Sequence, residues 1–226
     1  LVESFMNNEL IKNEVMLNLK SVSDIERIIS RIAALKSNPR DIKQLSISLE
    51  KIEKIKEIFE KSEKTFNKIS KKIKNLKSII YEINHKIIND PPISTLKGRY
   101  INEGVSKKLD KFRQLADNGA NWLVNYQEEQ KKVTGINSLK IGFNKVFGYY
   151  IDITRIHKDK VPENYIRKQT LTSSERYFTE DLKLYEEKIL SSEKMMIEIE
   201  NQIFSSLCNE ILKKLKIIFH NSNIIS

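Results

Sequence analysis

The chain has 226 residues, a formal net charge of +10 and a pI near 9.4, with 39% hydrophobic and 31% charged side chains; that is enough sequence for one or two domains and too much for a small stapled scaffold. Six glycines and four prolines are too few for a turn-rich sandwich or barrel, so long helices are expected. The single cysteine, Cys208, excludes an internal disulfide framework, and the scattered His85, His157 and His220 exclude a histidine cluster at metal-ligand spacing. No run approaches the roughly 20 apolar residues of a membrane helix, and neither a glycine-rich phosphate loop nor a G-x-G-x-x-G turn occurs.

In chain order, Ser23 with Glu26 three residues later is the expected N-cap of a helix that places Ile25, Ile28, Ile29, Ile32 and Leu35 on one face. Asn38-Pro39 stops that helix and opens the next. From Ile42 to Ile88 apolar residues recur every three or four positions among lysines, which predicts two or three helices with a break near Ser62 to Thr65. The lysines at 68, 71, 72, 74 and 77 read either as a solvated face or as a DNA-facing patch. Asp90-Pro91-Pro92 ends helix, because neither proline has an amide hydrogen and each restricts its predecessor; a connector to Gly104 is expected.

Beyond Gly104, Leu109, Phe112, Ala116, Gly119, Leu123, Tyr126 and Val133 form a stripe that predicts one helix roughly 40 Å long. Trp122 lies beside the stripe, as a packing anchor or, less simply, as a platform for base stacking. A second stripe runs through Leu182, Ile189, Met196 and Ile203, with Tyr185 and Ile199 alongside, and continues through Leu207, Ile211, Leu215 and Ile218. Thr179 is its expected cap, and the length on the order of 60 Å.

Between the stripes the period changes to two. Leu139, Ile141 and Phe143 alternate with Lys140, Gly142 and Asn144, and Phe147, Tyr149, Ile151 and Ile153 with Gly148, Tyr150, Asp152 and Thr154. Two strands joined near Asn144 to Val146 are expected, then a third over Tyr165 to Leu171, with Thr172 to Glu175 leading into the last helix.

The basic excess is uneven: residues 40–88 hold 13 basic and 7 acidic side chains, and residues 136–178 hold 8 and 4. A basic domain is the electrostatic footprint of a polyanion binder, although most charge runs are solvated helix faces. On the expected β segment, Lys140, Asn144, Lys145, Arg167, Lys168, Thr170, Thr172, Ser173 and Arg176 combine cations with short hydroxyl or amide donors. Those groups suit phosphate oxygens, which fix position and carry no base sequence; Lys- and Thr-rich surface strands are equally ordinary.

The run LKIGFNKVFGYYIDITR (139–155), followed by VPENYIRKQTLTSSERYFTEDLKLYEEKIL (161–190), closely resembles the MutS family of DNA mismatch-repair proteins, with weaker similarity back through SVSDIERIISRIAALKSNPRDIKQLSISLE. The resemblance implies a mainly α fold: a long-helix core or lever bundle (1–119 and 180–226) with a small antiparallel β-containing clamp (120–179) inserted between two long antiparallel helices. It implies paired clamps of a homodimer closing without base specificity on double-stranded DNA containing mismatches, with levers leading to ATPase domains that use ATP and magnesium. Lys140, Asn144, Thr172 and Ser173 match the clamp's phosphate-contacting positions, but Thr172 and Ser173 stand where many relatives have lysine and asparagine, a loss that Arg167 and Lys168 would offset. Because the mismatch-reading domain and the phosphate loop are missing, this chain alone is not expected to be an enzyme. A piece of a larger bacterial cytoplasmic protein is expected, starting as it does at Leu1, and a monomer is allowed for the piece by itself. The competing reading is a coiled-coil interaction or scaffold module without DNA binding.

Overall fold

The computed structural model describes residues 2–225. Nine helices and four strands follow one another among the described residues: α1 Val2–Met6, α2 Glu9–Leu19, α3 Ile25–Ala33, α4 Pro39–Glu60, α5 Lys64–Ser70, α6 Lys77–Lys86, α7 Lys107–Thr134, β1 Lys140–Asn144, β2 Gly148–Thr154, β3 Ile166–Thr170, β4 Ser174–Phe178, α8 Glu180–Lys213 and α9 Leu215–Ile225, with a 3-10 turn at Arg155–Lys160. The protein is therefore mainly helical with one small antiparallel sheet. Two compact units divide it, one made of residues 1–105 and 197–226, the other of 106–196.

The first unit is organised on α4. Pro39 opens this helix, and Asn38 caps it in a reciprocal capping box with Asp41. Ile42, Leu45, Leu49, Ile52 and Ile55 then fall on the buried side, each contributing about 1.5–3 kcal/mol relative to exposure. Buried polar groups here are spent on backbone. Glu53 Oε1 accepts the amide of Leu76 ahead of α6, Asn102 Nδ2 donates to the carbonyls of Asn84, His85 and Ile87 at the end of α6, and Asn221 bonds both the amide and the carbonyl of Lys74. Tyr100 is wholly buried, edge-on to Phe204, and donates to Asn201. Cys208 is a buried free thiol that burial pushes up in pKa.

Several expectations are corrected. The cap of α3 is Asp24, whose carboxylate accepts the Arg27 amide, while Ser23 is tied to Ser48 and Gln44 of α4; two adjacent residues of capping type were in competition, and the tertiary contact took Ser23. The Lys68-to-Lys77 run is exposed but is not one helical face, because residues 71–76 leave the helix so that Ile73 and Leu76 can turn inward. The last stripe does not form one rod to Ile218. α8 ends at Lys213, the Lys214 amide bonds back to Ile211, and α9 restarts at Leu215, carrying Asn221 to Lys74.

In the second unit α7 and the early part of α8 run antiparallel. Ile189 packs on Gly119, Tyr185 on Trp122, and the Thr179 hydroxyl meets the Tyr126 hydroxyl at 2.6 Å. Thr179 also caps α8 by accepting the Leu182 amide. The stripe departs from expectation at its end, where Val133 is exposed and Gln130 and Thr134 are buried. Gln130 turns inward because its amide oxygen accepts the Tyr165 hydroxyl, and Thr134 because its hydroxyl takes the Ile136 amide.

Candidate nucleic-acid interface

The sheet order is β1-β2-β4-β3, every pair antiparallel. The expected third strand is the edge strand β3, and a fourth, β4, was not foreseen, since Ser-Glu-Arg-Tyr-Phe carries no apolar alternation. One face of the sheet closes a core of Tyr126, Ile136, Leu139, Ile151, Ile153, Tyr165, Tyr177 and Leu182. On the other face the register aligns Lys140, Asp152, Arg176 and Gln169 side by side across all four strands.

Arg176 is held within that row. Its guanidinium lies 4.1 Å from the Tyr150 ring centroid and donates to Gln169 Oε1 at 2.9 Å. Tyr150 in turn covers Gly142, where a Cβ would come within 2.6 Å of the ring. The strand pattern placed Gly142 on this face but gave no hint that an aromatic ring required its bareness.

The two ends of the sheet differ. At the hairpin end the loop is Lys145–Phe147, with β2 starting at Gly148 and Phe147 outside it. Asn144 Oδ1 accepts the amides of Val146 and Phe147, an Asx turn that uses the side-chain oxygen and not the NH2 donor. A bulge between Arg167 and Gln169 lets Lys168 reach over the Phe178 ring and donate to the Phe147 carbonyl, so that this ammonium fastens β3 to the hairpin loop. Lys145 stays exposed.

At the opposite end Thr172 and Ser173 form the exposed β3–β4 turn, closed by the Leu171 amide on the Ser174 carbonyl, and the Ser173 carbonyl accepts the Arg155 amide at 3.2 Å. Thr170 is exposed on the edge strand opposite Glu175, and Lys140 pairs with Asp152 near this end. Arg167 lies 3.9 Å from Glu175. The nine residues thus form no single cluster: Asn144, Lys145 and Lys168 gather at one end, Lys140, Thr170, Thr172 and Ser173 toward the other, with Arg167 and Arg176 between. The seven residues of β2 separate the ends by about 20 Å. Missed altogether were Arg155, Lys158 and Lys160 of the 3-10 turn, although RIHKDK directly after a strand was legible as a basic run.

Glu175 is buried, and its carboxylate accepts the Tyr177 hydroxyl. That bond, with the positive charges of Arg167, Lys158 and Arg155, holds the acid below its ordinary range, while burial and the neighbouring carboxylate push Tyr177 up to about 12. A carboxyl held low stabilises the folded state fully above its ordinary pKa of 4.5, and the contribution disappears as pH falls from there through the folded value. Glu175→Gln should therefore flatten the fall in melting temperature on acidification below pH 4.5; an acid profile identical to that of the unmodified chain would show that the carboxylate gains nothing from its neighbours.

Residues 104–195 match MutS family domain IV. Over 96% of its length the chain is 41% identical to the DNA mismatch repair protein MutS of Bacteroides fragilis, covering 25% of that protein. The chain belongs to the MutS family. Against MutS of Bacteroides thetaiotaomicron it is 39% identical over 100% of the chain and 26% of the relative, and against MutS of Aquifex pyrophilus 37% over 99% and 26%. The chain spans about a quarter of the length of these MutS proteins. The sequence contains no glycine-rich phosphate loop, and among the described residues no group of three or more His, Cys, Asp or Glu side chains could hold a metal ion. No helix among the described residues is long and apolar enough to cross a membrane.

Proposed function

We propose that this chain contributes the part of a MutS-type mismatch-repair protein that grips the DNA backbone without reading base sequence, residues 120–179 acting as the clamp and 1–119 with 180–226 as core and lever. The observation that carries this reading is the β segment within the domain IV match, where 8 basic residues stand against 4 acidic ones over 136–178 and hydroxyl and amide donors occupy both ends of the sheet. Recognition of mispaired duplex, pairing of two clamps in a homodimer, and the coupling of DNA contact to an ATPase that binds ATP and magnesium belong, in this proposal, to the longer cytoplasmic protein. The chain itself has no catalytic role.

The test is a salt titration of duplex binding by this chain. With three or four phosphates neutralised, the slope of log affinity against log salt should be about −0.9 per phosphate, a loss of about 40- to 150-fold for a fourfold rise in salt, with no dependence on base sequence. Affinity that is indifferent to salt, or that follows base sequence, would remove the reading.

A further inference from the structure

We propose that the 3-10 turn Arg155–Lys160 is a phosphate-binding element, working with the β3–β4 turn as one site on the backbone of duplex DNA. The inference rests on the DNA-binding reading above and assigns it residues that the family resemblance did not supply.

Position comes first. The Arg155 amide is bonded to the Ser173 carbonyl, and Thr154 pairs with Ser174 in the ladder, so the 3-10 turn and the Thr172-Ser173 turn emerge side by side from adjacent strands. A further bond from the Val161 amide to the Lys158 carbonyl closes the turn. Arg155, Lys158 and Lys160 are all exposed, and Asp159 is the sole acid in the segment.

Charge arrangement comes second. Two other cations of the sheet are engaged locally, Arg176 on Tyr150 and Gln169, and Lys168 on the Phe147 carbonyl. At the β3–β4 end one buried carboxylate, Glu175, faces three cations, Arg155, Lys158 and Arg167, and Tyr177 already occupies part of its accepting capacity. Counting the exposed Asp159 as well, Arg155, Lys158, Lys160 and Arg167 still outnumber the two acids, and that surplus of positive charge is what a phosphate would neutralise. Thr172 and Ser173 add neutral hydroxyl donors beside it. Two short hydroxyls alone release no counterions, whereas the flanking cations do.

The experiment measures binding of a fluorescent 30-base-pair duplex by the 226-residue chain across a sodium chloride series. The variants are R155Q/K158Q/K160Q, the charge-preserving R155K/K158R, and K140Q/K145Q on β1 and its hairpin loop, each checked for an unchanged melting temperature. If the triple glutamine variant does not fold, K158Q/K160Q replaces it, since both side chains are exposed. The triple variant should bind at least tenfold more weakly at low salt, with a log-log slope shallower by about 0.9 for each engaged cation removed, and the charge-preserving variant should keep the original slope. Unchanged slope and affinity in the glutamine variant, with the unmodified chain binding in a salt-dependent manner, overturn this inference and leave the DNA reading in place, most plainly where K140Q/K145Q weakens binding. Failure of the unmodified chain to bind duplex even at low salt overturns both.

Discussion

Replacing Trp122 with alanine should lower the unfolding free energy of the 106–196 unit by about 3 kcal/mol, within the range for removing a large aromatic ring and reduced somewhat because the indole is only partly buried. Its ring centroid is 4.5 Å from that of Tyr126 and 3.6 Å from that of Tyr185, with interplanar angles of 10° and 16°. Two rings so nearly parallel to the indole could not share one face at these distances without overlapping each other, so they cover opposite faces. The indole is thus the middle layer of a three-ring stack that joins α7 to α8 directly above the sheet core. Each such pair adds about 0.5–1.5 kcal/mol beyond the area it buries. The stack also decides between the two sequence readings of Trp122: with both faces taken by tyrosines, no face is left for a nucleobase. Trp122→Phe should recover most of the lost stability, and denaturant unfolding of the three chains is the measurement. A Trp122→Ala chain as stable as the original would mean that the stack does not hold the helices together.

What the sequence disclosed, and what it withheld, follows from how each feature is encoded. Helix existence was legible, because burial of one face writes a repeat of three to four residues into the sequence; α4, α7 and α8 stand where Leu45, Leu109 and Leu182 place them. Helix ends were less legible, since Ser23 and Asp24 are both good caps and only the reach of Ser48 and Gln44 to Ser23 separates them. The hairpin was legible from its period of two. β4 was not, because a five-residue strand with Glu175 on its core-facing side breaks the apolar alternation; the acid is tolerated there by the Tyr177 hydroxyl and nearby cations. The candidate site was legible as a list of residue types, whereas their engagement was not. That Lys168 fastens a loop and Arg176 rests on Tyr150 depends on strand order and on one bulge, neither of which is written in local sequence.

Gly148→Ala should destabilise the same unit by about 2–4 kcal/mol and loosen the hairpin that presents Asn144 and Lys145. Two costs combine. Gly148 has φ +74°, a left-handed conformation that costs a residue with a Cβ about 1–2 kcal/mol. A Cβ there would also collide with the Glu186 carboxylate, which has to swing away and abandon the Tyr149 amide that Oε2 now accepts at 3.2 Å; an unmet, partly buried amide costs about 1–3 kcal/mol. The two costs are separable. In Glu186→Gln the side-chain oxygen still accepts the amide, and a loss well under 1 kcal/mol is expected, whereas Glu186→Ala should lose the bond but make room for the methyl group. In a Glu186→Ala background the Gly148→Ala penalty should therefore shrink to the backbone cost alone, and a double-mutant cycle by urea unfolding reads that difference directly. Strict additivity of the two alanine substitutions would show that Glu186 and the hairpin do not interact, and that the glycine is required by its backbone conformation only.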